Sequence, residues 1–424
     1  MATLALFDDM LNEHLAYDLL MEELTERNWL IKNVEKNMKW KGGSLPVPFR
    51  GARGSSFSQG GLTAENDISD YEFVRGVVED YKETWGTLKF NSKDLHQHVP
   101  EGARKKGLVN KDSFLRILPD QIEDFVDGMK DMVSTMLLNG AHFATLTSNA
   151  TANDGLMVVD RVERFELKQK VIIDDDNSAA LEGYVSTVNV NTNEVVLVTT
   201  RGGATVVDFS ANNMTTAQNA RVYIPGAETA ANAFTSLRSQ LLPSAQGGSA
   251  NLFGKSKLAY PYLQSIAISG ASVSATNILD AIFDGWTRIL KLGKGHADRV
   301  VMSLKHIGSV FKLLEAGSGG YRHVETKASV YGYTEVTIGS VKGNLKLVAV
   351  QEMDDDLMYY LDMSAFKLHS NGFFERHIDP NGNGYYVKRA TTGFVYIVDV
   401  RFYGELILHA PCRCGVMYSI PAYT

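Results

Sequence analysis

The chain has 424 residues, 44% hydrophobic and 21% charged, with a formal net charge of −7. That is the composition of a globular protein long enough for two or three cores at roughly 100–200 residues each. It excludes a disordered chain, holds no run near the roughly 20 apolar residues that span a bilayer, and argues against a surface devoted to tight nucleic-acid binding.

No signal-peptide pattern opens the sequence, and cysteine is scarce, so a cytoplasmic origin is expected. Residues 1–26 carry seven acids and no lysine or arginine, whereas 27–41 carry Arg27, Lys32, Lys36, Lys39 and Lys41 against Glu35 alone. Leu11, Leu15, Leu19, Leu20 and Leu24 recur at helical spacing. Acid at the start and base at the end suit a helix macrodipole. The segment reads as a solvated amphipathic helix or as an arm that packs on another subunit.

The stretch "SLPVPFRGARGSSFSQGG" (44–61) follows, rich in glycine and proline, with Phe49 and Phe57 flanking Arg50 and Arg53. "GARGSS" lacks the Gly-Lys-Ser/Thr ending of a phosphate loop and has no strand-then-helix setting. With "YEFVRGVVEDYKETWGTLKFNSKDL" (71–95), it reads as a long two-stranded arm with a glycine-rich tip. Such a hairpin is marginal alone and needs a partner surface.

Beyond it, His96 and His98 sit in a polar loop, where a zinc site would need two further ligands. The best helix is expected over 119–139, with Pro119 in its first turn and Gly140 at its end. Its apolar stripe (Ile122, Phe125, Val126, Met129, Met132, Val133, Met136 and Leu137) marks packing. From 158 to 225, short Val/Ile-rich runs alternate with Asn, Asp and Gly turns, the pattern of an inserted antiparallel β-module or small barrel.

A mixed region follows. "TNILDAIFDGWTRILKLGKG" reads as a helix capped near Gly293, "RVVMSL" as a strand and "KHIGSVFKLLEAG" as a second helix. From 334 onward the chain is mostly strand. Asp174–Asp176 and Asp354–Asp356 fall between strand-like runs and read as turns, without the spacing of a calcium loop. "GSGG" (317–320) closes a helix, and His323, His369 and His377 are scattered. In "APCRCGVMYSI", Cys412 and Cys414 would share one face of a strand and read as small apolar residues. No serine-nucleophile elbow occurs. No enzyme, cofactor or metal signature emerges.

The order of these pieces, and the phrasing of "FTSLRSQLLPSAQGGSANLFGKSKLAYPYLQSIAISG", "DRVVMSLKHIGSVFKLL" and "FYGELILHAPCRCGVMYSI", resembles the major capsid proteins of tailed bacteriophages, with their Hong Kong 97-type fold. The resemblance covers most of the chain except 158–225. It implies an α+β protein with an N-terminal arm (1–43), an extended loop (44–111) and a peripheral domain (112–157 and 341–399) holding the spine helix. It further implies an inserted module (158–225) and an axial domain (226–340 and 400–424).

The implied role is self-assembly, through hexamers and pentamers, into an icosahedral shell around double-stranded DNA, with Phe49, Arg50, Arg53 and Phe57 at subunit interfaces. Scaffolding, portal and decoration proteins are the further partners such a resemblance brings. DNA contact would be weak and non-specific, no membrane is involved, and assembly would occur in the bacterial cytoplasm. Some members of that family weld subunits through a loop lysine. Here no lysine lies between Gly42 and Tyr81, so a non-covalent shell is expected, with Arg50 and Arg53 bonded to acids of a neighbour. The roughly 40 residues before the loop also suggest no fused scaffolding segment. Rival readings are an encapsulin-like compartment, a β-rich tail or surface binding protein, and an enzyme.

Overall fold

The computed structural model describes residues 28–37, 40, 43–50, 73–79, 82–91, 111–150, 152–175, 180–210, 214–216, 220–228, 232–293, 297–315, 324–328, 334–340, 343–370, 374–376, 387–389 and 395–421. The chain forms two compact units, one from residues up to Ser134 and from Leu241 onward, the other Thr135–Gln240. The class is α+β, as the sequence implies.

In the first unit, the short helix α1 (Trp29–Asn33) starts at Asn28, whose side-chain oxygen accepts the Ile31 N–H at 2.9 Å. The strand β1 (Glu35–Asn37) then adds in parallel to β19 (Phe366–His369). The 14-residue strand β22 (Val395–Leu408) organises a six-stranded sheet, pairing with β19, β20 (Phe374–Arg376), β21 (Val387–Arg389) and β4 (Lys82–Asn91). The register of β4 runs from Val395 opposite Asn91 to Gly404 opposite Lys82.

This revises the two-stranded arm expected from the sequence. Only β2 (Leu45–Arg50) and β3 (Phe73–Val78) pair as a ribbon, while β4 leaves it for β22. Trp85, Gly86 and Thr87 in the middle of β4 lack the apolar alternation that would have shown this.

The long helix α2 spans Lys111–Leu138, 28 residues and so about 42 Å at 1.5 Å per residue. It begins before the expected Pro119, which therefore lies inside the helix and removes the N–H that would bond the Leu115 carbonyl. Met129 and Val133 are buried as the stripe requires. Phe125 lies over Gly86 of β4, where a Cβ would come within 2.7 Å of its ring. Glycine at 86 is what lets helix and strand approach.

A second, seven-stranded mixed sheet runs in the order β13 (Ile266–Ser269), β23 (Gly415–Tyr418), β18 (Leu357–Leu361), β14 (Arg299–Met302), β17 (Gly343–Ala349), β16 (Thr334–Ser340) and β15 (Val324–Ala328). Two amphipathic helices pack on it, α4 (Ile278–Gly293) and α5 (Leu304–Glu315), following the short α3 (Leu237–Leu241). Ile278, Ile282, Trp286 and Ile289 of α4 join Ile307 and Val310 of α5 in one core with Val300, Leu347, Met358 and Tyr360. The steps of four and three place them on one helical face.

The second unit holds the sheet β5 (His142–Thr145), β10 (Arg221–Tyr223), β7 (Lys170–Asp174), β8 (Leu181–Asn189), β9 (Glu194–Val198) and β6 (Leu156–Val158), in that order. A bridge between Leu146 and Val159 joins its two edge strands and closes the sheet on itself. Val171, Ile173, Val185, Leu197, Phe209 and Met214 fill the interior. The unit is wider than the 158–225 segment marked by the sequence, because β5 and β6 lie before it.

Candidate assembly surface

The ribbon β2/β3 has two unlike faces. Its register places Val47 opposite Gly76 and Phe49 opposite Val74 on one side. Pro46–Val77, Pro48–Arg75 and Arg50–Phe73 lie on the other. Burial follows the alternation, so the first set is inside and the second faces outward. Both strands of a lone ribbon are edges, where proline is tolerated and where it blocks the addition of a further strand.

The inward face docks within the same chain. Val47, Phe49 and Val78 cluster with Trp40, Leu252, Leu263 and Ile407. Their partner is the two-residue hairpin between β11 (Asn251–Leu252) and β12 (Lys255–Ser256), whose turn residues Phe253 and Gly254 both have positive φ, +46° and +78°. Gly254 suits that turn, and Phe253 is strained in it.

Two contacts hold Phe253 there. Its ring stacks on Phe49 at 6.1 Å between centroids and 8° between planes, and its carbonyl accepts the Val77 N–H at 3.1 Å. Gly76 completes the fit, since a Cβ there would stand 2.6 Å from the Phe49 ring and 3.1 Å from the Phe253 carbonyl oxygen.

The sequence put Phe49, Arg50, Arg53 and Phe57 together at an interface, and the structure separates the two it describes. Phe49 is fully buried inside its own chain, so it anchors the ribbon root. Arg50 points outward, its guanidinium 5.4 Å from the centre of the Tyr262 ring. Arg53 and Phe57 lie outside the described residues. The outward face instead gains Phe73, 73% exposed, and Val77, 42% exposed, beside Arg50 and Arg75. These residues were legible only once the register of β3 was known.

Ile407 belongs to the same buried cluster, and two positions earlier on β22 is Glu405, which shares its face and stands opposite His369 of β19. His369 and His409 face each other at 5.8 Å. Burial, then His409 and Lys367, push His369 down to about 4 against the opposing pull of Glu35, and burial likewise lowers His409. Both rings are neutral near pH 7.

His96, His98, His323 and His377 lie outside the described residues. Among those described, no group of three or more His, Cys, Asp or Glu side chains is arranged to hold a metal ion. Cys412 falls in a 3-10 turn (Pro411–Arg413), so it does not share a strand face with Cys414 as expected. Burial raises both thiols. Asp354–Asp356 occupy the turn before β18, where the Asp355 carbonyl lies 2.7 Å from Nε2 of buried His306. No described helix is long and apolar enough to cross a membrane.

No family model matches the sequence, and no curated protein does. Solved structures with a similar course of chain include the capsid asymmetric unit of cyanophage A-1(L), at 11% identity and a TM-score of 0.44, over 91% of each chain. The capsid of a native GTA particle aligns at 8% identity and 0.42, over 92% of this chain and 90% of the other. The SrpI encapsulin of Synechococcus elongatus aligns at 8% and 0.38, over 95% and 90%. Two are capsids and one is an encapsulin.

Proposed function

We propose that this chain is the major capsid protein of a tailed phage, a subunit that closes with its copies into an icosahedral shell around double-stranded DNA. The observation that carries the reading is the two-faced ribbon. One face is anchored in its own chain through Phe49 and Phe253, while the other presents Phe73, Val77, Arg50 and Arg75 outward. A ribbon anchored at its root and apolar-and-basic on its outer side suits a neighbouring copy, which buries Phe73 and Val77 and sets acids against the basic side chains beside them. The sequence resemblance supplies the order of parts around it.

Within this reading, 1–43 form the N-terminal arm, the β2/β3 ribbon belongs to the extended loop, and 112–134 with 341–399 form the peripheral domain. The inserted module of 158–225 widens to the second unit, Thr135–Gln240, and 241–340 with 400–424 form the axial domain. Arg50 and Arg53 bond to acids of the neighbour, and the shell is non-covalent and assembles in the host cytoplasm. Many modest contacts of this kind add multivalently.

Electron micrographs of particles assembled from the purified chain test the proposal. Closed shells of one size class that package DNA in an infected host support it. Shells that purify with a protein cargo and no nucleic acid would move the chain to the encapsulin-like reading.

A further inference from the structure

A pair of histidines sits where three strands meet. His369 ends β19, opposite Asn37 of β1 on one side and Glu405 of β22 on the other, and it is buried. His409 follows β22 directly, and its ring centre lies 5.8 Å from that of His369, with 52° between the planes. Neither nitrogen of His369 has a hydrogen-bond partner, and the buried Nε2 of His409 has none. Buried polar groups are normally satisfied, so adjacent imidazoles with three such nitrogens call for an explanation.

The surroundings do not favour a proton on either ring. Burial resists the charge on both, Lys367 of β19 opposes it on both, and His409 opposes it on His369. Glu35 of β1 pulls the other way, but its carboxylate is paired with Lys367 at 2.7 Å. Glu405, buried opposite His369, has contacts of its own. With no acceptor on the unpartnered nitrogens, an imidazolium gains its solvation only when water reaches the rings.

The edge strand controls that access. β1 is three residues long and lies at the end of its sheet. Its ladder to β19, the Glu35–Lys367 pair and the Ser370 N–H bond to the Asn37 carbonyl at 3.0 Å hold it there. Glu35 is exposed, so that ion pair adds little. Three residues after Asn37, Trp40 is buried with Ile407, Val47, Phe49 and Val78. In register, Ile407 stands opposite Lys367, two positions from the His369–Glu405 pair. The segment beside the histidines therefore reaches the ribbon root as well.

We infer that His369 and His409 form an acid-sensitive latch: neutral, they let the 35–40 segment close on the sheet, and protonated, they release it and loosen the ribbon root through Trp40. Two like charges at this separation, beside Lys367, repel each other in the closed state and are separated by water in the open one. The latch does not depend on the shell reading.

Hydrogen exchange of the full-length chain, corrected for the intrinsic effect of pH, tests it. His369 is held near 4 when closed, against 6.5 when open, so stability of the closed state is lost as pH falls below 6.5. Between pH 7.5 and pH 5, opening of Glu35–Asn37 should rise about tenfold or more. Phe73–Val78 should open with it, while Arg299–Met302 in the other sheet stays protected, which separates release from global unfolding. His369→Gln and His409→Gln should each blunt the rise, and the double variant should abolish it. Circular dichroism at pH 7.5 checks each fold, and either single variant carries the test if the double variant does not fold. Acid opening that is the same in the wild type and the variants assigns the response to Glu35 or Glu405 and overturns the proposal. So does protection of Glu35–Asn37 that persists unchanged to pH 5, or release that leaves Phe73–Val78 unaffected.

Discussion

Replacing Phe49 with alanine removes a fully buried ring from the root of the ribbon, together with its stack on Phe253. A buried Phe→Ala change costs about 3–5 kcal/mol when the structure cannot relax. Here the cost should appear as opening of the ribbon, because among the described strands β2 and β3 pair with each other alone. At 1.4 kcal/mol per tenfold, even half of the expected loss is roughly a tenfold or greater rise in amide exchange across Phe73–Val78.

The mechanism is checked by a second change. Gly76→Ala places a Cβ 2.6 Å from the Phe49 ring, and overpacking of this kind costs about 1–3 kcal/mol. With Phe49 already alanine the ring is gone, and only the 3.1 Å approach to the Phe253 carbonyl remains. The double variant should therefore be less destabilised than the sum of the two singles, by about 1 kcal/mol. Hydrogen exchange by mass spectrometry, with urea unfolding alongside, measures both. Additive costs, or exchange at Phe73–Val78 that ignores Phe49→Ala, would refute the packing account of the ribbon root.

Other outcomes follow from the same structure. His369 is held below its unfolded value of 6.5, so its contribution to stability is present above pH 6.5 and lost as pH falls through about 4. Urea midpoints between pH 7 and pH 4 should fall more for the wild type than for His369→Gln. Glu352, raised to about 7 chiefly by burial and opposed by Lys130 at 3.7 Å, carries the reverse sign. Its penalty is absent below pH 4.5 and grows as pH rises towards 7, so Glu352→Gln should gain stability relative to the wild type at pH 8 but not at pH 4. In the second unit, Gly155→Ala forces a Cβ to within 3.0 Å of the Val206 side chain at a positive φ of +66°. It should lower that unit's thermal midpoint, by a cost of about 1–3 kcal/mol. Arg50→Glu with Arg53→Glu should leave a soluble subunit that no longer assembles, read by light scattering, and normal assembly would assign 44–61 to a linker.

Much of the fold was legible because its signals are local. The stripe of α4 from Ile278 to Ile289, the β14 run and the turn-punctuated strands of the second unit each reveal themselves within a short window. What stayed hidden depends on distant partners. Nothing near Lys82–Asn91 announces a partner at Val395–Gly404, and Pro119 misled because a proline suits a first turn yet also survives inside a long helix. The ribbon root was half visible. Arginines and aromatics marked the stretch, but which face each side chain takes follows from pairing with β3 and from Phe253.

Electron microscopy of the purified full-length chain under assembly conditions tests the central claim most directly. The account predicts closed, uniform shells that are lost when Arg50 and Arg53 become glutamate. A denaturing gel of those shells should show a single monomer band. A discrete small oligomer that never closes, at any concentration or ionic strength, would contradict it.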